Sequence, residues 1–404
     1  MYDEHITILK DNLHGAGRSA SRVINQRAIV DKIYQEDGIS KAQLAKDLGI
    51  SKPAVSSNVE NLISIGLVLE KGEGESTHSG GRKPVMLLFN QTHCYIGVLD
   101  LSFQTPVCTV CDLKFHIIGM EKVILNNADS PEEQKQCIKQ AFVKILQEAN
   151  ILVEKLGVVI ISQPGVSNDG TNTDFIGNRH HTWVEMKLRS FLEEELRVPV
   201  VIKNDVNLAA VGEVHFGTES HPRDLIYVSC GVGLGAGLII HGELYEGSKH
   251  AAGEIGYMLL NDGHYVENGV TKDVLIHRVE KLYDEHGIHE RVTFPFIIEQ
   301  LKSGDALVKQ VVFEIGRELG RIIQNCCILL DIKTVIFGGE YLALGSVLID
   351  SINNFIKENT VFEREFIPSS LKDAASLYGG FVVGKEMILS DLLDDKDLRQ
   401  KIED

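Results

Sequence analysis

A punctuation of serines and glycines between residues 38 and 51 constrains this chain more than any other feature. Residues 21–36, SRVINQRAIVDKIYQE, place Val23, Ile24, Ala28, Ile29 and Ile33 on one helical face. Gly38 ends that helix. Ser40 then stands as an N-cap for KAQLAKDLG, with Gln43 at capping-box spacing and Leu44, Ala45 and Leu48 turned inward. Gly49 makes the next turn. Ser51 caps a third helix, KPAVSSNVENLISI, and Pro53 sits near its first position, where a missing N–H costs nothing. Val55, Val59, Leu62 and Ile63 form its inner face. The pattern is a helix-turn-helix.

The start of the third helix carries short or cationic side chains, as a helix entering a major groove needs. A three-helix bundle used for protein contacts has the same pattern, but the next segment favours DNA. Leu67–Leu69 and Val85–Leu88 read as two wing strands around EKGEGESTHSGGRKP. The paired glycines let backbone approach DNA closely, and Arg82 can enter a minor groove. The expected DNA-facing set is Ser40 and Lys41, then Ser51, Lys52, Ala54, Ser56, Ser57 and Asn58, then Gly81, Arg82 and Lys83 on the wing.

A net charge of −17 argues against DNA binding until its distribution is read. Residues 1–90 hold 11 basic and 11 acidic side chains; the remaining residues hold 29 and 46. All the excess acid lies outside the helix-turn-helix segment. Between Lys10 and Asn58 the balance is eight basic to five acidic, enough for a modest phosphate-facing surface. The acidic remainder would repel DNA and limit non-specific binding.

The 404 residues allow two or three domains. No apolar run approaches the ~20 residues that span a bilayer, so no membrane partner is expected. Met1-Tyr2-Asp3-Glu4-His5 lacks the basic start and apolar core of a signal peptide, so cytoplasm is the expected compartment. The seven cysteines are scattered and odd in number; a structural zinc site is not expected, nor, in a reducing cytoplasm, a disulfide.

From Tyr95 strands alternate with helices. YIGVLDLS and VCTVCDL form a strand pair, and residues 131–150 an amphipathic helix. Leu156–Ile161 is a buried strand leading to Gln163-Pro164-Gly165, and Val198–Lys203 a strand leading to Asn204-Asp205. Leu225–Ser229 leads to Gly231-Val232-Gly233-Leu234-Gly235-Ala236-Gly237, and Lys333–Phe337 to Gly338-Gly339. This is an α/β chain with glycine turns after its strands.

The ordered set Gly233–Gly237, Gly247 and Ala252-Gly253-Glu254-Ile255-Gly256 resembles the ROK family of repressors, open reading frames and sugar kinases. Together with the N-terminal module, it is similar to the branch of xylose and N-acetylglucosamine repressors. The resemblance implies a winged helix-turn-helix domain over 1–90 and a two-lobed, actin-like ATPase body over 91–404. The lobes would be near 91–205 and 206–380, with a C-terminal helix 381–404 packing back.

The departures from family kinases carry the functional expectation. The D-x-G-x-T turn that meets ATP phosphates reads Asp100-Leu101-Ser102-Phe103-Gln104, and Val232 stands in the second phosphate loop where kinases carry threonine. Phosphoryl transfer depends on positioning and charge stabilisation around the phosphates, so ATP is not expected to bind productively. The sugar side matches better. Asn204 and Asp205 match the Asn-Asp pair whose aspartate is the kinase base, Glu254 the sugar-contacting glutamate, and Gly165 the turn at the pocket floor. Asp205 as a helix N-cap and Glu254 in a surface ion pair are the simpler alternatives. His180 and His181 lie where kinases carry a sugar-facing loop; contact with ligand and exposure on the surface both stay open. Tyr257 replaces a histidine that holds zinc and sugar in relatives, and the family's cysteine cluster is missing, so zinc is not expected.

The expectation is a sugar-responsive repressor of carbohydrate-utilisation genes, xylose being suggested by kinship, with no catalytic residue and no cofactor. Its expected partners are operator DNA, a sugar effector and a second copy, with a tetramer left open. An active sugar kinase with an added DNA domain and a repressor governed by a protein partner are the alternatives.

Overall fold

The computed structural model describes residues 18–73, 85–102, 105–125, 130–165, 187–260 and 263–393. Helix α1 spans Arg18–Gln35, β1 Ile39–Ser40, α2 Lys41–Leu48, α3 Lys52–Ser64, β2 Val68–Glu73 and β3 Val85–Phe89. Ser40 Oγ accepts from the Gln43 N–H and Ser51 Oγ from the Ala54 N–H, so both expected caps form. The capping box does not close, because the Gln43 side chain donates to Asp47 instead. Gly49 takes φ 64°, a left-handed turn that a side chain would strain, and this sets the angle between α2 and α3. Ile29, Val30, Ile33, Leu44, Leu48, Val55, Val59 and Leu62 are fully or nearly buried between the helices and a three-stranded antiparallel sheet of order β1-β3-β2.

The body contains two five-stranded sheets of identical design. The first holds β4 Tyr95–Asp100, β5 Val107–Asp112, β6 Ile117–Lys122, β7 Leu156–Gln163 and β8 Val200–Asn204, in the order β6-β5-β4-β7-β8. The second holds β9 Leu225–Cys230, β10 Leu234–Ile240, β11 Glu243–Leu244, β12 Thr334–Gly338 and β13 Glu365–Pro368, in the order β11-β10-β9-β12-β13. In each, the first three strands form an antiparallel meander and two further strands add in parallel beside the first of them. Continuous runs such as Leu156–Gln163 are apolar because both faces of the parallel part are covered.

Helix α4, Pro131–Glu148, covers one face of the first sheet with Ile138, Phe142 and Ile145. On the second sheet, α5 (Ala306–Leu330) packs along α6 (Ser346–Asn359). Helix α7, Asp205–Gly212, runs directly from the end of β8. The last described helix, α8, spans Ala375–Leu392 and so begins before residue 381. It is apolar nearly all round, and it returns to the first lobe to lie on β4 and β7. Residues 394–404 of the expected terminal helix lie outside the described residues.

Helices α7 and α8 form the seam of the body. A Cβ on Gly379 would stand 1.8 Å from the Leu208 carbonyl oxygen, and one on Gly212 would stand 2.2 Å from that of Ala375. Only glycine permits this backbone-to-backbone approach.

Candidate ligand site and DNA-facing surface

Three adjacent strands of the first sheet end side by side at a cleft. Asp100 closes β4, Gln163 closes β7 and Asn204 closes β8; in register, Asp100 faces Ser162 and Gln163 faces Asn204. Ligand crevices of open α/β sheets form outside such carboxyl ends. Asn204 Nδ2 donates to the Gly165 carbonyl at 3.0 Å, and its Oδ1 accepts from the Asn207 N–H at 2.9 Å. Asn204 is therefore the helix cap, and the N-cap alternative for Asp205 falls away. Asp205, one residue into the helix, accepts from the Val206 N–H at 2.9 Å.

The Asp205 carboxyl is pushed up to about 7, by burial first and by neighbouring Asp100 next, with Glu254 adding to the rise. Glu254 is raised too, by burial first and then by Glu267. It sits on a turn pressed onto β10, where the Ala236 N–H donates to the Gly253 carbonyl. Lys203 of β8, nearly buried, reaches Glu246 of the second lobe at 3.5 Å and ties the lobes together. The expected residues Gly165, Asn204, Asp205 and Glu254 thus gather around one carboxylate-lined cleft. Tyr257 lies one short turn from Glu254, half-buried, its ring edge-on to Tyr265 at 5.4 Å. His180 and His181 lie outside the described residues, as do Gly81, Arg82 and Lys83 of the wing.

The phosphate side is built differently. Asp100 is 2% exposed and its acceptors are occupied. Ser102 donates to Oδ1 through both its N–H and its hydroxyl, and Ser376 Oγ donates to Oδ2 at 2.7 Å. Ser376 lies at the start of α8, and no sequence signal links it to a residue 276 positions away. Glu340 crowds Gly231 of the second phosphate loop and pairs with Lys272 at 2.6 Å. Val232 is 41% exposed on that loop. Beyond Tyr257, the Leu260 N–H donates to the His264 carbonyl and the Val266 N–H to the Met258 carbonyl. Among the described residues, no cluster of His, Cys, Asp or Glu is arranged to hold a metal ion.

The DNA-facing set needs one correction. Asn58 does not face outward: it is 9% exposed, and its Nδ2 donates to the Ala54 carbonyl at 2.8 Å. Position 58 falls on the same helical side as Val55 and Leu62, so the amide braces the helix from within. Ser56 is half-buried and donates to Glu60 at 3.0 Å, and Ala54 is half-buried. Ser51, Lys52 and Ser57 are exposed, and Lys41, partly exposed, lies 3.8 Å from Glu60.

A helix-turn-helix domain carried on a two-lobed, duplicated-sheet body defines a DNA-binding protein with a kinase-type fold. The ROK family model matches residues 96–387 and a winged helix-turn-helix DNA-binding model matches residues 24–68. The chain belongs to the ROK family. It is 30% identical to the xylose repressor of Bacillus subtilis over 374 residues, covering 90% of this chain and 95% of that one. It is 26% identical to the xylose repressor of Caldicellulosiruptor bescii over 392 residues, covering 92% and 96%. The same fold occurs in a ROK family transcriptional regulator homologous to Mlc of Escherichia coli, with TM-score 0.74 at 20% identity, covering 95% of this chain and 99% of that one.

Proposed function

We propose that this chain is a sugar-responsive transcriptional repressor whose kinase-like body binds a sugar without phosphorylating it. The observation that carries the reading is the contrast at the cleft. Among the described residues Asp205, beside Asn204 and Glu254, accepts from backbone N–H groups alone, while Asp100 is occupied by the side chains of Ser102 and Ser376. A carboxylate can accept from adjacent sugar hydroxyls and so select their orientation. Kinase chemistry needs Asp205 as base together with phosphate loops that hold ATP; Glu340 beside Gly231 and the Ser102 hydroxyl on Asp100 both work against that.

The two relatives named xylose repressors, aligned over nine-tenths of the chain, make D-xylose the first effector to test. The DNA-bound form in this reading is a dimer on two half-sites. The experiment uses the full chain and a duplex it selects from a random pool. D-xylose lowers the affinity for that duplex, and ATP with D-xylose gives no sugar phosphate. Steady phosphoryl transfer would overturn the non-enzymatic reading; sugar indifference across a panel of pentoses and hexoses would overturn the effector.

A further inference from the structure

Helix α8 touches three parts of the molecule that a sensor must connect. At its start, Ser376 holds Asp100 at the cleft. One turn further on, Gly379 locks against α7, which begins at Asp205. Near its end, Glu386 pairs with Arg27 of α1 in the DNA-binding domain. The inner faces of α1 and α8 belong to one continuous buried core, with Ile29, Val30, Met387 and Ile388 among its members.

A second line of contacts runs parallel to the first. Helix α7 ends in the wide turn Glu213–Gly217. Buried Glu213 there accepts from Ser369 Oγ and the Leu371 N–H, which lead into α8. Phe216 of the same turn packs on Tyr378 at 5.0 Å and on Phe115 at 5.5 Å. Lys385 Nζ lies 5.2 Å from the Phe115 ring and 4.4 Å from the ring of Tyr34, which belongs to α1. Lys385 is 9% exposed, so this cation stands between two aromatic faces with little water. Burial alone would raise the Glu386 carboxyl, but the Arg27 and Lys385 cations hold it below the usual range.

We propose that α8 is the transmission element of this protein, and that the Arg27–Glu386 pair with Lys385 between Tyr34 and Phe115 is the joint setting the DNA-binding domain according to the state of the Asp205 cleft. The physical reason is stiffness at one end and selectivity at the other. Helices α7 and α8 cannot slide independently, because glycine backbones interlock. A lobe movement at Asp205 therefore moves α8 as a unit. At the far end the contacts are charged and directional, and buried ion pairs and cation–ring contacts fit one geometry well and neighbouring ones poorly. Spatial continuity alone does not establish coupling; a changed response to ligand does.

The sugar arm of the test rests on the function proposed above, and a second arm does not. Glu386→Gln and Lys385→Met keep shape and remove charge. In wild type, D-xylose shifts affinity for the selected duplex by about 5–150-fold, the ordinary range of such coupling. In both variants that ratio falls to within about twofold, while D-xylose affinity measured by calorimetry stays unchanged. A mere weld between domains would lower stability or DNA affinity and leave the ratio intact, which overturns the proposal.

The second arm uses DNA alone. Hydrogen exchange at residues 205–217 changes when wild type binds the duplex and does not change in Glu386→Gln. An unchanged wild type in this arm overturns the joint whatever sugar does. Loss of sugar binding in wild type with a positive DNA arm would overturn the sugar reading and leave the joint standing. If Glu386→Gln fails to fold, Lys385→Met carries both arms.

Discussion

Asp100 closes β4 and Asp205 directly follows the end of β8 in the same sheet, yet their surroundings are opposite. Asp100 is saturated by donors from Ser102 and Ser376 and has become a brace. Among the described residues Asp205 accepts only from backbone N–H groups, and its half-buried carboxyl is pushed up to about 7 by burial and by Asp100. The difference teaches how a catalytic fold becomes a sensor. In the proposed reading, the corner that would serve phosphate is tied to α8 through Ser376, and the corner that would serve sugar is the one left for ligand.

The sharpest way to break this contrast is to part the seam on which both corners depend. A methyl on Gly379 would meet the Leu208 carbonyl oxygen at 1.8 Å, against backbone that cannot swing away. Gly379→Ala is expected to cost about 3 kcal/mol of stability or more. Gly233→Ala serves as its control, since nothing lies within 4 Å of that Cβ. Urea unfolding of both variants measures the gap; equal midpoints would show that α7 and α8 are not locked.

The next largest effect separates the two aspartates directly. Asp100→Ala leaves three donors facing a buried void and is expected to destabilise the chain by about 2–3 kcal/mol. Asp205→Asn does not destabilise the chain at neutral pH, since it removes a carboxyl whose charge opposes folding, but it weakens sugar by one to two decades, since hydrogen bonds to charged groups are worth about 1.5–3 kcal/mol. Thermal unfolding and calorimetry on the same two variants form the test. If Asp205→Asn unfolds the chain and Asp100→Ala blunts sugar binding, the roles assigned to the two corners are reversed.

Much of this was legible in sequence because local rules decide it. Ser40, Gly49 and Ser51 announce the helix-turn-helix through capping and a left-handed turn, and these need only neighbours. The strands ending at Gln163, Asn204 and Cys230 announce themselves through apolar runs stopped by turns. The Asn204–Asp205 pair is legible only through its family pattern, and the structure ties it to Gly165 by the Asn204 side-chain amide. What stayed hidden depends on distance along the chain. The lock on Asp100 comes from Ser376, and the joint at Arg27 from Glu386. The outward reading of Asn58 failed for a different reason. A polar side chain near a groove-facing turn can satisfy itself on the preceding helical turn, and composition does not distinguish the two.

The smallest expected effect tests the chemistry of the Asp205 corner without changing a residue. Its carboxyl titrates near 7 in the folded chain, because burial and Asp100 both disfavour the charge. A carboxyl whose folded pKa lies above its unfolded value opposes folding when ionised. Its cost to stability is therefore fully present above about pH 7 and is relieved as pH falls toward the unfolded pKa. Sugar binding should run the other way. The ionised group accepts from two hydroxyls, whereas the neutral acid gives up one acceptor place to its own proton. Affinity for D-xylose is then expected to rise by up to about tenfold from pH 6 to pH 8, as the ionised fraction grows from roughly a tenth to nine-tenths. Glu254, raised by burial and by Glu267, shifts the profile in the same direction. Calorimetry across that range on wild type and Asp205→Asn isolates the Asp205 contribution as the difference between the two curves. Two superimposable curves would mean that the open corner does not read the sugar, and that the contrast with Asp100 is one of packing alone.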